Sequence, residues 1–129
     1  MKKGDELIGS LSIVERNIKK PLELIIGGIG NLGIKETYQK QGLATLMLNQ
    51  SHMFMKQNGI NFSLLFCIER LKPIYIKAGY QQIEKPVTFT NESGKIEREE
   101  LALFFPLLLN EETVALIQSQ GLFIGKGTW

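Results

Sequence analysis

Residues 34–48 read IKETYQKQGLATLML. An apolar strand end, a short polar turn and an amphipathic helix follow one another in this stretch. Gly42 has no Cβ and Ala44 is nearly as small, so a ligand could approach the main chain closely. The amides of residues 41–45 would point at one place, and the start of the helix adds a partial positive charge. The turn is therefore predicted to bind an anion such as a pyrophosphate.

Two patterns connect this turn to a known family. Gln39, Gly42 and Ala44 occupy the three defined positions of Arg/Gln-x-x-Gly-x-Gly/Ala. The segment resembles the coenzyme motif of the GNAT superfamily of N-acetyltransferases. Farther along, Pro73–Tyr80 is similar to the family's aromatic-Tyr-x-Lys-x-Gly-aromatic signature, and the spacing between the two patterns also fits.

The resemblance implies acetyl-CoA as the co-substrate and no metal. The diphosphate would bind the turn, mostly through main-chain amides. The pantetheine arm would lie beside the preceding strand like an added strand, with backbone hydrogen bonds from Leu32 and Ile34. An N–H near Leu32 would polarise the thioester carbonyl. The implied coenzyme-binding residues are Leu32, Ile34, Gln39, Lys40, Gln41, Gly42, Leu43, Ala44 and Thr45.

Tyr75 is the side chain that the resemblance assigns to catalysis. Its hydroxyl would lie near the coenzyme sulfur and protonate the departing thiolate as a general acid. The alternative is an aromatic residue that packs in the core beside Ile74 and Ile76. A general base cannot be identified from the sequence. Glu36 and Glu69 are the candidates, and the sequence favours for each the alternative of a solvated charge or a helix-cap residue.

The pattern of elements predicts an α/β (α+β) fold in one domain, residues 1–129. We expect a GNAT-like, mixed and mostly antiparallel twisted sheet, with a main helix and a second helix packed on it. The predicted elements are strands 6–14 and 22–34 as an antiparallel hairpin, the main helix 41–57, strand 60–68, helix 69–78, strand 81–90, a turn at 91–95, strand 100–109, and a helix that Asn110 caps and Gly121 ends.

The apolar residues of the main helix predict one stripe that faces the core. His52 lies on the opposite, polar side and is expected at the surface, whereas Cys67 is expected in the core. The stripe consists of Leu43, Leu46, Met47, Met53 and Phe54.

Residues 28–33 match Gly-x-Gly-x-x-Gly, the dinucleotide-binding pattern, and they follow a strand. That pattern requires a helix at the glycines and an acidic residue about 20 positions later. Here the helix would have to carry Gly42 near its middle, and Glu69 comes too late. The glycines are better explained by a bulged, twisted strand where the backbone approaches a ligand.

Composition excludes several classes of protein. The chain has 129 residues, 43% of them hydrophobic and 22% charged, which suits one globular domain. A net charge of +2 gives no reason to expect a nucleic-acid partner. Cys67 is the only cysteine, so no disulfide forms within the chain and a cytoplasmic location is expected. No run of about 18 apolar residues predicts a membrane span.

The start of the chain differs from the usual family pattern. Only Met1–Asp5 precede the hairpin, where the family usually has a strand and two helices that shape the acceptor pocket. We therefore expect an N-terminally shortened fold. Its acceptor pocket is then either open, completed by a second copy of the chain, or lost. Ile68 stands where many relatives have asparagine.

The tail, Gly121–Trp129, resembles aminoglycoside N-acetyltransferases of the 2′-acting type. This resemblance implies that Trp129 lies near the acceptor. The alternative is a frayed tail with a packing tryptophan.

The sequence thus predicts an N-acetyltransferase that moves acetyl from acetyl-CoA to a primary amine of a small molecule, with aminoglycoside-like amines as one option. The alternative is a catalytically silent domain that binds coenzyme A or another subunit. The absent base and the short N-terminal part favour that alternative.

Overall fold

The computed structural model describes all residues, Met1–Trp129. Its strands are β1 (Lys2–Lys3), β2 (Glu6–Leu7), β3 (Gly9–Ile18), β4 (Leu24–Ile34), β5 (Phe62–Phe66), β6 (Gln81–Gln82), β7 (Val87–Thr90), β8 (Ile96–Glu99), β9 (Ala102–Pro106) and β10 (Leu122–Lys126). Its helices are α1 (Leu43–Gln57), α2 (Lys72–Lys77) and α3 (Glu111–Gln120), with short 3-10 helices at Glu36–Tyr38 and Glu69–Leu71.

Five strands form the main sheet in the order β3-β4-β5-β9-β6. A second sheet has the order β10-β7-β8, and β1 and β2 form a small hairpin. Only the β4–β5 and β10–β7 pairs are parallel. The predicted mixed, mostly antiparallel α/β fold is therefore confirmed, and so is the antiparallel hairpin of β3 and β4.

The main sheet separates two apolar cores. On one face, α1 and α2 cover side chains that include Ile29, Leu65 and Leu103. On the other face, α3 and the second sheet cover side chains that include Ile26 and Phe104. Full burial of one such aliphatic side chain contributes about 1.5–3 kcal/mol, so these two layers fix the helices on the sheet.

The predicted core stripe of α1 is wrong for three of its five residues. Leu46, Met53 and Phe54 are exposed at 46%, 64% and 53% of their surface. The buried face is rotated around the helix. It consists of Met47, Leu48, Ser51, His52 and Met55.

His52 is thus buried, at 6% exposure, although the sequence predicted it at the surface. The reason is that its ring has partners inside the protein. Nε2 lies 2.8 Å from the hydroxyl of Tyr80, and the ring stacks on Phe105 with centroids 4.0 Å apart. A buried polar group with such partners does not carry the full cost of desolvation.

The last third of the chain differs from the prediction in two strands. The expected strand 81–90 is broken into β6, which pairs with β9, and β7, which belongs to the second sheet. Gln118 of α3 holds the break, because its side chain donates to the carbonyl of Gln82 and accepts from the amide of Glu84. The strand that returns from the turn at 91–95 is β8, whereas the expected strand 100–109 is shortened to β9 and pairs with β5.

Other boundaries follow local capping. Asn110 accepts a hydrogen bond from the amide of Thr113 at 2.8 Å, as predicted, and Gly121 ends α3 with φ of 74°. The predicted helix 69–78 is divided into a 3-10 turn and α2, which has Pro73 in its first turn. No helix combines the length and the apolar character that crossing a membrane requires.

Candidate functional site

The site begins where β4 and β5 separate. These parallel strands pair only from Ile26 to Gly28 on β4 and from Phe62 to Leu64 on β5. β4 continues to Ile34, so beyond Gly28 its edge toward β5 has no strand partner. Such an edge presents main-chain groups that an extended ligand can pair with.

A bulge on β4 lies in this open region. Ser10 pairs with Gly33 and Ser12 with Gly30, so two residues of β4 oppose one residue of β3. Asn31, in the bulge, has φ of 52°. The bulge predicted from the glycine-rich segment is therefore confirmed, and it increases the local twist of β4 where the strands separate.

A cavity of about 160 Å³ occupies the gap between the two strands. Six of its eight lining residues are hydrophobic, although most of the surface that it presents is polar. Main chain of β4 lies on one side and aromatic rings on the other. Its lining residues are Ile29, Gly30, Asn31, Leu32, Leu65, Phe66, Tyr75 and Trp129. The structure thus places Leu32 and Tyr75, two of the residues singled out in the sequence, at one cavity.

The turn after β4 leads into α1. The side chain of Gln39 donates to the carbonyl of Ile34 at 2.9 Å and so holds the turn against the strand end. Lys40 and Gly42 both have positive φ, at 65° and 74°, and Gly42 is the N-cap of α1. The other coenzyme-binding residues expected from the sequence, Gln41, Leu43, Ala44 and Thr45, surround this point.

The amides at this helix start have no partners within the protein. No side chain caps α1, and no backbone hydrogen bond leaves the amides of residues 41–45. The first turn of α1 also has no acidic residue. By contrast, α3 has its own Asn110 cap and carries Glu111 and Glu112 in its first turn. The start of α1 is therefore the one suited to an anionic ligand.

Lys35, unlike these amides, already has a partner within the protein. Its ammonium group pairs with the carboxylate of Glu6, whose other oxygen accepts from the hydroxyl of Tyr38 at 3.1 Å. The hydrogen bond from Lys35 is the main reason that the pKa of Glu6 is lowered. Lys40 makes no ion pair and lies exposed in the turn.

Tyr75 is half-buried on α2. Burial is the main cause that raises the pKa of its phenol above the usual value of 10.0. The phenol is therefore protonated throughout the neutral range, which is the form that a general acid needs. Its ring also packs against the core under α1 and α2, as the packing alternative predicted.

Sequence reasoning missed the buried group that adjoins Tyr75. Tyr80 is 2% exposed, and its hydroxyl lies 2.8 Å from Nε2 of His52 and 2.7 Å from Oγ of Ser63. The spacing of His52, four residues after Leu48 and three before Met55, was the available signal for its burial. Burial also lowers the pKa of His52 from 6.5 to about 4, so the ring is neutral at pH 7.

Trp129 closes the cavity from the other face of the sheet. Its indole stacks on Phe66 with centroids 5.2 Å apart, and the guanidinium of Arg16 lies 5.2 Å from the ring centre. Arg16 also donates to the carbonyls of Ile124 and Gly127, which holds the tail in place. The tail is thus packed against the sheet and not frayed.

The two candidate bases lie elsewhere. Glu36 and Glu69 are exposed in 3-10 turns, and neither lines the cavity. The Cys67 thiol is partly buried, and burial followed by the charge of Glu69 raises its pKa. The structure contains no cluster of three or more histidine, cysteine, aspartate or glutamate side chains arranged to hold a metal ion.

The comparison with protein families agrees with this geometry. A family model described as "Acetyltransferase (GNAT) domain" matches residues 1–83, which is more than half of the chain. This chain belongs to the GNAT acetyltransferase family. The matched part includes β4, the turn, α1, β5 and α2, and therefore every element that lines the cavity except the tail with Trp129. No protein of curated function is significantly similar in sequence.

Solved structures share the fold at low sequence identity. The Escherichia coli GNAT family N-acetyltransferase YhbS, in complex with CoA, has a TM-score of 0.68 and 12% identity over 97% of this chain. A Bacillus subtilis acetyltransferase in complex with CoA has a TM-score of 0.62 and 19% identity over 83% of this chain. A mutant of the toxin AtaT, bound to the C-terminus of the antitoxin AtaR, has a TM-score of 0.63 and 16% identity over 92%.

The solved proteins are longer than this chain. It spans 63% of YhbS, 74% of the B. subtilis protein and 68% of AtaT. The first two bind CoA, whereas the third is bound to a protein segment, so the shared fold does not identify one kind of partner.

Proposed function

We propose that residues 1–129 form a single acyl-CoA-binding domain that transfers acetyl from acetyl-CoA to a primary amine of a small molecule. One observation carries this proposal: Tyr75 lines the cavity in the gap between β4 and β5, together with the unpaired part of β4, the strand that leads into the amide-rich turn. Membership of the GNAT family and two CoA-bound structures with the same fold support it.

The turn would bind the coenzyme diphosphate. The free amides of residues 41–45 would donate to its oxygens, and Lys40 would add a positive charge. Gln39 would act indirectly, because it fixes the turn through the carbonyl of Ile34. The pantetheine arm would pair with the open edge of β4 near Leu32 and Ile34. Main-chain donors dominate this scheme, so a negative charge placed here gains both hydrogen bonds and the helix field.

Tyr75 would supply the proton for the leaving group. The amine nitrogen attacks the thioester carbon, the new C–N bond forms, and the C–S bond breaks. The phenol gives its proton to the departing sulfur. The ammonium formed by the attack loses a proton to water, and a proton from the solvent restores the phenol. An N–H near Leu32 would stabilise the oxyanion that precedes C–S cleavage. The raised pKa of Tyr75 keeps the proton on the phenol until it is needed.

The acceptor amine would enter the cavity beside Tyr75, with Trp129 closing its far side. The cavity of about 160 Å³ admits a small amine-bearing group, with the rings of Phe66 and Trp129 as its apolar wall. The proposed substrates are therefore small-molecule amines, and aminoglycosides are the first class to try. A second copy of the chain could complete this site, and the apolar side chains of Leu46, Met53 and Phe54, exposed on α1, support self-association.

The test is acetyl transfer from acetyl-CoA to a panel of amines that includes aminoglycosides, diamines and amino acids. We expect turnover with at least one class, and Tyr75→Phe should lower kcat by about 100-fold while changing acetyl-CoA binding less than twofold. The apparent size of the protein should be measured at the same concentrations. Stabilisation by acetyl-CoA without turnover on any amine would contradict this function and favour a silent coenzyme-binding domain.

A further inference from the structure

A backbone hydrogen bond at the end of α2 connects Tyr80 to Tyr75. The amide of Tyr80 donates to the carbonyl of Tyr75 at 3.0 Å, and the amide of Gly79 donates to the carbonyl of Ile76 at 3.0 Å. Gly79 has φ of 102°. These two bonds and the positive φ form a Schellman motif, in which the residues at the two ends of the outer bond also pack together. Accordingly, the two tyrosine rings meet nearly edge-on, at 73° and 6.1 Å between centroids.

The hydroxyl of Tyr80 is fixed from two other elements. His52 of α1 and Ser63 of β5 lie at 2.8 and 2.7 Å from it, and all three residues are buried. Phe105 of β9 stacks on His52 and also contacts the ring of Tyr80, with centroids 5.6 Å apart. An added Cβ on Gly79 would come within 2.7 Å of Phe105. The turn that carries Tyr80 is therefore packed closely against Phe105.

This arrangement joins the parts of the proposed site. α1 begins at the amide-rich turn, β5 forms one wall of the cavity, and α2 carries Tyr75. Tyr80 is the residue that contacts all three. We propose that Tyr80 is a positioning residue, whose hydroxyl, held by His52 and Ser63, fixes the ring of Tyr75 at the cavity. The inference rests on the proposed function for its effect on turnover, but the position of the Tyr75 ring can be tested independently.

The hydroxyl can be separated from the ring. Tyr80→Phe keeps the apolar volume and the edge-on contact, and it removes only the bonds to His52 and Ser63. Ser63→Ala removes one of these bonds and leaves the other, so it provides a milder variant if Tyr80→Phe folds poorly. Ser51→Ala is the matched control, since it removes a buried hydroxyl of α1 that bonds only to the carbonyl of Leu48 at 2.7 Å.

The first experiment uses NMR of protein labelled at its tyrosine rings. The chain has three tyrosines, so Tyr80→Phe leaves Tyr38 and Tyr75, and Tyr38 serves as an internal reference. We expect the Tyr75 signal to shift and broaden in Tyr80→Phe, to shift less in Ser63→Ala, and to stay unchanged in Ser51→Ala. An unchanged Tyr75 signal in both Tyr80→Phe and Ser63→Ala would overturn the inference.

The second experiment is a double-mutant cycle in the acetyl-transfer assay. Tyr80→Phe should lower kcat by about 10-fold, with the KM for acetyl-CoA changed less than twofold, and it should have no further effect when Tyr75→Phe is present. An equal loss in both backgrounds would show a merely structural role and overturn the inference. If Tyr75→Phe alone leaves turnover intact, the proposed general acid fails, and the NMR signal still decides whether Tyr80 holds that ring.

Discussion

The indole of Trp129 lies directly over Gly28, so closely that a Cβ at this position would overlap the ring. Gly28 does not have positive φ, so its backbone conformation does not require glycine. Glycine is required here because the indole occupies the space of a side chain. The missing side chain thus leaves space for the tail at the residue where β4 stops pairing with β5. The cavity beside Tyr75 depends on this packing, because Trp129 forms part of its wall.

Gly28→Ala should displace the tail. The added methyl group overlaps the indole, so we expect a loss of about 1–3 kcal/mol in the free energy of unfolding. The fluorescence of Trp129, the only tryptophan, should become more accessible to acrylamide. Gly33→Ala is the control, because nothing lies within 4 Å of its added Cβ. Equal quenching in the two variants would contradict the packing described here.

Gly42→Ala should weaken coenzyme binding. Gly42 has φ of 74° with open space around its added Cβ, and Gly94, in the β7–β8 turn, has φ of 81° and equally open space. Each substitution should cost about 1 kcal/mol of stability for the same backbone reason. Only Gly42→Ala should also lower the affinity for CoA, by about 10-fold in calorimetry, because it relaxes the amide-rich turn. A similar loss of affinity in Gly94→Ala would separate CoA binding from this turn.

Stability should fall in mild acid because of His52. The pKa of this ring is lowered to about 4 in the folded protein, against 6.5 for the ordinary side chain. Between these values the unfolded chain binds a proton that the folded protein does not, so this contribution is complete above pH 6.5 and is lost as the pH falls toward 4. Urea unfolding at several pH values should show a shallower decline in His52→Gln than in the parent. Ser51→Ala should keep the parental slope; an unaltered slope in His52→Gln would refute the assignment.

Turnover should not decline in mild alkali on account of Tyr75. Burial raises the pKa of its phenol above 10.0, so the acid form persists through pH 9. We expect kcat, measured at saturating amine and acetyl-CoA, to stay level from pH 8 to 9. A fall of kcat with an apparent pKa below 9 that is present in the parent and absent in Tyr75→Phe would contradict a protonated Tyr75.

Local sequence signals predicted much of the fold. Asn110 marks a cap and Gly121 a conformation that glycine adopts readily, so both ends of α3 were predicted. The main helix was expected from residue 41, whereas α1 begins at Leu43 with Gly42 as its N-cap. The strand–turn–helix order around Gln39 and Gly42 likewise predicted which backbone amides lie free. These features depend on residues close in sequence, which is why one chain sufficed to predict them.

Features that depend on partners distant in the chain could not be predicted from the sequence. His52 is buried because Tyr80 and Phe105 meet it from other elements, and helical periodicity alone favoured Leu46, Met53 and Phe54 instead. The division of strand 81–90 between two sheets likewise depends on Gln118, more than 25 residues away. The positions of such partners follow from the assembled fold.

The most direct test of the central claim is an amide NMR titration of ¹⁵N-labelled protein with CoA. Binding of the diphosphate at the start of α1 predicts that the largest shifts fall on the amides of residues 41–45, followed by those of the open edge of β4 near Leu32. Saturable binding with its largest shifts elsewhere, for example at the start of α3, or no binding at all, would contradict the account.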